Sequence, residues 1–309
     1  MTLKSLLIGS VMAVGTLTAG AQVTEPTDPE TKPVFTQADV DANPDSWRLV
    51  DPKELVLMQT SRGRILIELA PDLAPRHVAQ FKAYVKAGLY DGTAFHRVIK
   101  GFMAQGGDVE ATHGAEKLMP PLEAEFTIRR DPKGASIDYA GPPEEAEQGF
   151  YRGIPIKTQP SWLADMSKDS KVESWIPHCP GILSSARTGD PNSANAQFFL
   201  ISDQGRHLDK KYTAKGRAIA GLDVIQSIKL GPAPEGYPIA NPDVVTRVVM
   251  VSDMPAGERP KAYVQRTDTA EWQATLETAY KTRTDICEVP PVPAVIVDKI
   301  PLRRSSQDG

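Results

Sequence analysis

Cysteine, net charge and long apolar runs are all scarce in this chain. Cys179 and Cys287 are the only cysteines in 309 residues, and neither has zinc-ligand spacing around it. The formal charge is only −4, which gives neither a basic nucleic-acid footprint nor an acidic tail. The apolar run near the start, Ser5 to Thr18, is shorter than the ~20 residues a membrane-spanning helix needs. No internal repeat is visible. Proline, in contrast, is abundant: 27 residues, well above the ~5% of average usage, clustered outside the strand-like segments. Long irregular loops and extensions are therefore expected. Apolar residues make up 40%, enough for a real core of one or two domains.

The N-terminus reads as a secretory signal over residues 1–21. Lys4 supplies an early positive charge, a short apolar stretch follows, and Ala19-Gly20-Ala21 ends it with small residues. Cleavage after Ala21 is expected, with no membrane span afterwards, and in a bacterium this points to the periplasm. An oxidising compartment would allow Cys179 and Cys287 to pair. Two separate free thiols fit the sequence equally well, because spacing does not place them in space.

Residues 22–52 are rich in Pro, Asp and Thr and read as a linker or irregular strap. Leu55–Thr60 and Ile65–Leu69 flank a glycine-bearing turn and read as a hairpin, with Ile65, Ile67 and Leu69 on one face. Pro75 opens a helix in which Val78, Phe81 and Val85 recur at helical spacing, and Gly88 stands at its C-terminal cap. Residues 109–178 break the pattern with repeated prolines and read as a long loop insertion, functional or disordered. Its Trp162 and Trp175 imply that part of it packs on something. Strands return at Gly181–Ala186 and Gln197–Ser202. A short helix carries Leu222, Ile225 and Ile228, and a last strand spans Val244 to Val251. Residues 255–309 are an extension with a helix from Thr269 to Tyr280 and a Pro-rich tail. The whole reads as mainly β, a barrel or sandwich rather than alternating βα units.

The most informative stretch is Phe95-His96-Arg97-Val98-Ile99-Lys100-Gly101-Phe102-Met103-Ala104-Gln105-Gly106-Gly107-Asp108. It combines one permanent cation, one amide, several apolar side chains and a double glycine, a set suited to gripping a short apolar peptide by its backbone. It holds no obvious nucleophile and no metal cluster, so the chemistry expected here makes and breaks no covalent bond. Arg97 offers a planar fork of donors at any ordinary pH. Gln105 both donates and accepts, while Phe102 and Met103 supply an apolar floor. By the period of two, Arg97 and Ile99 share one strand face, and Met103 and Gln105 share another.

This stretch resembles the signature of the cyclophilins, a family of peptidyl-prolyl cis–trans isomerases. Gly181-Ile182-Leu183-Ser184-Ser185-Ala186 and Asn195-Ala196-Gln197-Phe198-Phe199-Leu200 resemble two further family blocks in the right order. The resemblance covers about residues 53–254, with 109–178 set aside. It implies a closed eight-stranded antiparallel β-barrel capped by two helices. It implies Arg97 as the catalytic donor, and an apolar proline pocket of Phe102, Met103, Phe199 and Leu208. Gln105 and Ala186 would hold the substrate backbone. Arg187, Gln197, His207 and Tyr212 complete the expected substrate-binding set. No cofactor and no metal are implied. The expected partners are unfolded or flexible Pro-containing polypeptides, with no nucleic acid, and a monomer is expected. His96 is expected to make a structural hydrogen bond inside the barrel, since the reaction transfers no proton. A metal site from His113, His178 and Cys179 has no recognisable ligand spacing behind it.

The departures from the family pattern matter as well. In Gly205-Arg206-His207-Leu208-Asp209-Lys210-Lys211-Tyr212, His207 stands where the family carries tryptophan, and Tyr212 where it carries histidine. Arg187-Thr188 replaces an Asn-Ala common in the family. Losing the indole removes apolar surface and one N–H donor. Weakened binding of the cyclic inhibitor cyclosporin, with turnover retained, is therefore expected. An inhibition titration matching that of a tryptophan-bearing relative would refute it. Two other roles compete with the enzyme reading: a proline-peptide-binding module with little turnover, and a chaperone or scaffold using the insertion and extension.

Overall fold

The computed structural model describes residues 35–134, 137–142 and 147–298. The expected signal segment 1–21 and the start of the expected strap, 22–34, lie outside the described residues. Among the described residues the first strands are β1 (Trp47–Leu49), β2 (Leu55–Thr60), β3 (Gly63–Leu69), β4 (Arg97–Ile99) and β5 (Met103–Gly106). Next come β6 (Ile128–Arg130), β7 (Asp138–Tyr139), β8 (Gln148–Tyr151), β9 (Ile154–Thr158) and β10 (Val172–Trp175). The last are β11 (Ile182–Ser185), β12 (Phe198–Ile201), β13 (Ala214–Ala220), β14 (Val245–Met250), β15 (Lys261–Gln265) and β16 (Ala294–Val297). The helices are α1 (Gln37–Ala42), α2 (Pro75–Lys86), α3 (Val109–His113), α4 (Leu222–Ser227) and α5 (Ala270–Thr282).

An eight-stranded antiparallel sheet in the order β14-β2-β3-β13-β11-β12-β5-β4 forms the centre. The β2–β3 turn closes on Thr60, whose hydroxyl accepts from the backbone N–H of Arg62 and of Gly63 at 3.1 Å each. Pro75 starts α2, as its preset φ favours. Gly88 ends it with φ +67°, a left-handed conformation that glycine adopts without a Cβ clash. Val56, Met58, Ile65, Ile67 and Leu69 pack on one face of the sheet with Val78 and Phe81 of α2 and Ile225 of α4. Leu55, Leu57, Leu66, Ile182 and Ile201 pack on the other with residues of the insertion and the extension. Both faces are covered, which is why the strand Leu55-Val56-Leu57-Met58 reads as an unbroken apolar run. Each such side chain contributes ~1.5–3 kcal/mol of burial free energy.

The sheet curls strongly but its ladder does not close, in contrast to the closed barrel expected from the resemblance. An isolated bridge, Ala94 to Val244, joins the segment before β4 to the residue before β14. The reason lies at β4. The loop after α4 occupies that strand's free edge, with Val98 N donating to Gly236 O at 2.9 Å and Gly231 N to Val98 O at 3.0 Å.

Segment 109–178 is not one long loop. It carries α3 and a second, five-stranded sheet in the order β6-β10-β9-β8-β7. Its strands are two to five residues long, too short for alternation to show in sequence, and Pro155 sits within β9. The expected strap is also structured from residue 35 onward. Its β1 pairs with β15 and, through it, with β16 of the extension. Helix α5 matches the expectation for Thr269 to Tyr280: Thr269 caps it, accepting from Trp272 N, and Trp272, Leu276 and Ala279 are buried.

Between α2 and the sheet lies a sealed polar group. Lys215 Nζ donates to Ser185 Oγ at 2.9 Å, and Ser185 Oγ lies 2.9 Å from His77 Nδ1. His77 Nε2 faces the Glu123 carbonyl at 3.0 Å, which can only accept. The proton of a neutral His77 is therefore on Nε2, and the Ser185 hydroxyl donates to Nδ1. Burial pushes Lys215 down to about 7, and burial, aided by the charge of Lys215, pushes His77 down to about 4. Between pH 7 and 10.5 the unfolded chain then binds a proton at Lys215 that the folded chain does not. Stability should therefore rise with pH across 7–9.5, by up to ~1.4 kcal/mol per unit. Below pH 7 this contribution is flat. Denaturant melts of wild type and Lys215→Met across that range check it, because the slope should be missing in the variant.

Candidate active site

β4 and β5 form a short hairpin with Arg97 opposite Gln105 and Ile99 opposite Met103. β12 flanks β5 on the other side, with Phe199 opposite Gln105 and Ile201 opposite Met103. Directly opposed residues of antiparallel strands point to the same side. Arg97, Ile99, Met103, Gln105, Phe199 and Ile201 thus share one face. This corrects the expectation of two separate faces, because spacing along one strand says nothing about register across the turn.

A cavity of about 330 Å³ opens on that face. Its lining is Arg97, Phe102, Met103, Gln105, Ala186, Arg187, Phe199, His207, Leu208 and Tyr212. Of the site residues expected from sequence, Gln197 alone is not in the lining. It stands behind it, with Oε1 accepting from Gln105 Nε2 at 2.9 Å and its carbonyl accepting from Ala186 N at 2.9 Å. A larger cavity of about 850 Å³ lies between the second sheet and α5, bordered by Glu147, Lys157, Lys281 and Arg283. It contains none of the motif residues.

Arg97 makes no ion pair among the described residues. Its Nε donates to the Glu235 carbonyl at 3.0 Å and its Nη1 to Gln105 Oε1 at 3.3 Å. Gln105 is thereby oriented, with its oxygen toward Arg97 and its nitrogen toward Gln197. Met103, Phe199, Leu208 and Ala186 are buried and form the apolar wall. His207 lies over Phe102 with ring centroids 4.8 Å apart, and Tyr212 meets Phe199 edge-on at 5.6 Å. Arg187 sits over the Tyr212 ring at 4.3 Å and donates from Nε and Nη2 to the Lys211 carbonyl at 3.1 and 2.9 Å.

Several supporting residues escaped the sequence reading. His178 stacks on Phe199 at 6.0 Å, and its Nδ1 donates to Asp209 at 3.1 Å. Burial pushes the Asp209 carboxyl up, but hydrogen bonds from His178 and Arg206 outweigh this and hold it below the usual range. Arg206 also pairs with Asp285, which holds Lys157 at 2.7 Å. Cys179, next to His178, is joined to Cys287 in a disulfide. Glu235, Asp285 and Cys287 lie 138, 79 and 108 residues from their partners Arg97, Arg206 and Cys179, and no local pattern announces such pairs. Gly205 lets this loop approach closely: a Cβ there would stand 2.9 Å from Ile201 Cδ1.

Two sequence readings change. The double glycine serves packing rather than peptide grip. Gly107 has φ +75°, and a Cβ on it would fall 2.6 Å from the Phe198 ring, while Asp108 caps α3 by accepting from Ala111 N. His96 does not make the expected hydrogen bond through Nδ1, which is buried without a partner among the described residues. The three groups considered for a metal each have another partner: His113 the Asp91 carbonyl, His178 the Asp209 carboxylate, and Cys179 the disulfide.

The family model described as cyclophilin type peptidyl-prolyl cis-trans isomerase/CLD matches residues 55–250. The chain belongs to the cyclophilin family. A probable peptidyl-prolyl cis-trans isomerase of Brucella suis biovar 1 (strain 1330) is 35% identical over 203 residues, 66% of this chain and 85% of the relative. A peptidyl-prolyl cis-trans isomerase of Streptomyces antibioticus is 31% identical over 182 residues, 56% of this chain and 82% of the relative. The crystal structure of cyclophilin AquaCyp293 from Hirschia baltica superposes with a TM-score of 0.79 at 44% identity, covering 86% of this chain and 99% of that one. That coverage exceeds the family segment, so the likeness to this cyclophilin reaches into the insertion and the extensions. The enzyme is a cyclophilin-type prolyl isomerase, with accessory sheets built around the central one.

Proposed function

We propose that this cyclophilin accelerates rotation about X–Pro bonds in flexible or unfolded polypeptides, and that its substrates are exported proteins. The observation that carries the reading is Arg97, a guanidinium without an ion-pair partner among the described residues, at the edge of an apolar cavity of about 330 Å³. Rotating an X–Pro bond breaks amide resonance against a barrier of ~18–20 kcal/mol. In the twisted state the proline nitrogen becomes pyramidal and accepts a hydrogen bond that neither planar form can accept. A donor fixed for that state lowers the barrier selectively. Arg97 is that donor, held in place by Glu235 and Gln105. Phe102, Met103, Phe199 and Leu208 hold the ring still, and Gln105 and Ala186 hold the backbone. No bond to substrate is made or broken and no proton moves, so the step calls for no cofactor.

Export is supported by the signal-like residues 1–21 and by the disulfide between the chain's two cysteines, which suits an oxidising compartment. Among the described residues no helix is long and apolar enough to cross a membrane. NMR exchange on a capped Ala-Ala-Pro-Ala peptide tests the activity. Accelerated cis–trans exchange at catalytic enzyme concentration is expected. Peptide binding without exchange would instead make the protein a binding module.

A further inference from the structure

Two arginines and a histidine line the cavity, and no carboxylate does. The isomerase reading gives Arg97 a task. Arg187 belongs to the expected substrate-binding set and lines the cavity, but the reading assigns its charge no task, and it stands where the family resemblance puts a neutral asparagine.

Arg187 is held rigidly. Its guanidinium lies 4.3 Å from the Tyr212 ring centroid and 5.6 Å from that of Phe126. Nε and Nη2 donate to the Lys211 carbonyl, and Nη1 donates to the Thr188 carbonyl at 2.8 Å and the Gly189 carbonyl at 3.4 Å. Every one of these partners is a neutral oxygen. Among the described residues no carboxylate pairs with Arg187, and one hydrogen on Nη2 is left without an acceptor. Acids bordering these partners are engaged elsewhere: Glu125, next to Phe126, pairs with Arg76 at 3.1 Å, Asp190, next to Gly189, accepts from Asn192 N at 2.9 Å, and Glu173 pairs with Lys210, next to Lys211, at 2.9 Å. Lys211, whose carbonyl holds Arg187, is itself exposed and forms no ion pair among the described residues. The cavity wall therefore carries a fixed positive charge that the protein does not neutralise. A guanidinium already ordered loses little further freedom when a ligand anion meets it.

Resting on the isomerase reading and narrowing its substrate class, we propose that Arg187 makes this enzyme selective for prolines flanked by an acidic side chain. The carboxylate gains attraction from Arg187 in both planar forms and in the twisted one. The preference is therefore uniform binding and resides in KM, not in kcat. A purely structural role, in which Arg187 only straps the 188–189 loop to Lys211, would leave the charge of the substrate irrelevant.

The test uses the full chain and two acetylated, amidated peptide series, Ala-Xaa-Pro-Ala and Ala-Ala-Pro-Xaa, with Xaa as Glu, Gln or Lys. In at least one series kcat/KM for Glu should exceed that for Lys about tenfold at low salt, through KM. The ratio should fall below about threefold in 0.5 M salt, where the Debye length is only ~4 Å. Arg187→Gln should abolish the ratio and Arg187→Lys should keep most of it. Equal kcat/KM for Glu and Lys in both series overturns the proposal, and so does a ratio that survives Arg187→Gln. If Arg187→Gln does not fold, the salt dependence of the wild-type ratio decides alone. Absence of exchange with the Ala-Ala-Pro-Ala peptide would instead remove the isomerase reading itself, which separates the two failures.

Discussion

Replacing Arg97 with alanine lowers kcat/KM on an Ala-Pro peptide by about 10²–10³, the range seen when one preorganised donor to a transition state is removed. The loss should fall on kcat and leave KM nearly unchanged, because the proline nitrogen accepts from Arg97 only when the amide is twisted. The folded state should tolerate the change. Arg97 is half-buried, has no ion-pair partner among the described residues to leave stranded, and gives Gln105 only a long 3.3 Å bond. Its removal vacates the Glu235 carbonyl, which lies on an exposed loop residue where water can replace it. Matching circular dichroism and melting curves for Arg97→Ala and wild type establish that the fold is intact. Arg97→Lys keeps the charge but not the planar fork, so it should recover only part of the rate. A loss below about threefold, or an equal loss of peptide affinity, would move the chemistry away from this side chain.

What the sequence shows and what it hides follows from the range of the interactions. Arg97, Phe102, Met103 and Gln105 lie within nine positions of one hairpin, so their union at the cavity follows from local order once the register is known. Phe199 and Ala186 join them through strands whose apolar runs were plain. The closed barrel was the resemblance's expectation, and its failure at β4 depends on a loop more than a hundred residues downstream that takes up the strand's free edge. The insertion's sheet was hidden for another reason. Strands of two to five residues, interrupted by Pro155, carry too few alternations to stand out from loop. Ser185 falls in the expected strand Gly181–Ala186, Lys215 in a segment with no marked pattern, and only folding links them to His77. The double glycine misled in the opposite direction: a motif that looked built for a ligand is, at Gly107, built for the Phe198 ring.

Breaking the disulfide should have the largest effect on stability. Cys179 and Cys287 close a loop with a sequence separation of 108, and cross-linking a loop of ~100 residues restricts the unfolded chain by ~4.7 kcal/mol in the chain-entropy account. The observed cost should be smaller, about 2–4 kcal/mol, because the reduced, unfolded chain retains structure that this account ignores, and the folded extension keeps other anchors once the bond is cut. β15 still pairs with β1, Trp272 and Leu276 stay buried, and Asp285 still holds Lys157 and Arg206. A loss of this size lowers the melting temperature by roughly 5 °C in a chain of this length. Melts of reduced wild type and of a Cys179→Ala, Cys287→Ala double variant should agree with each other and lie below that of the oxidised wild type. The effect on the pocket should be smaller than the effect on the melt. His178 keeps its bonds to Asp209 from both backbone N and Nδ1, so Phe199 keeps its stacking partner when Cys179 is freed. Turnover measured well below the lowered melting point should therefore stay within a few-fold of wild type. A melting temperature unmoved by complete reduction would mean that the sheet and α5 hold the extension unaided; collapse of turnover at low temperature would mean that the bond sets the cavity wall itself.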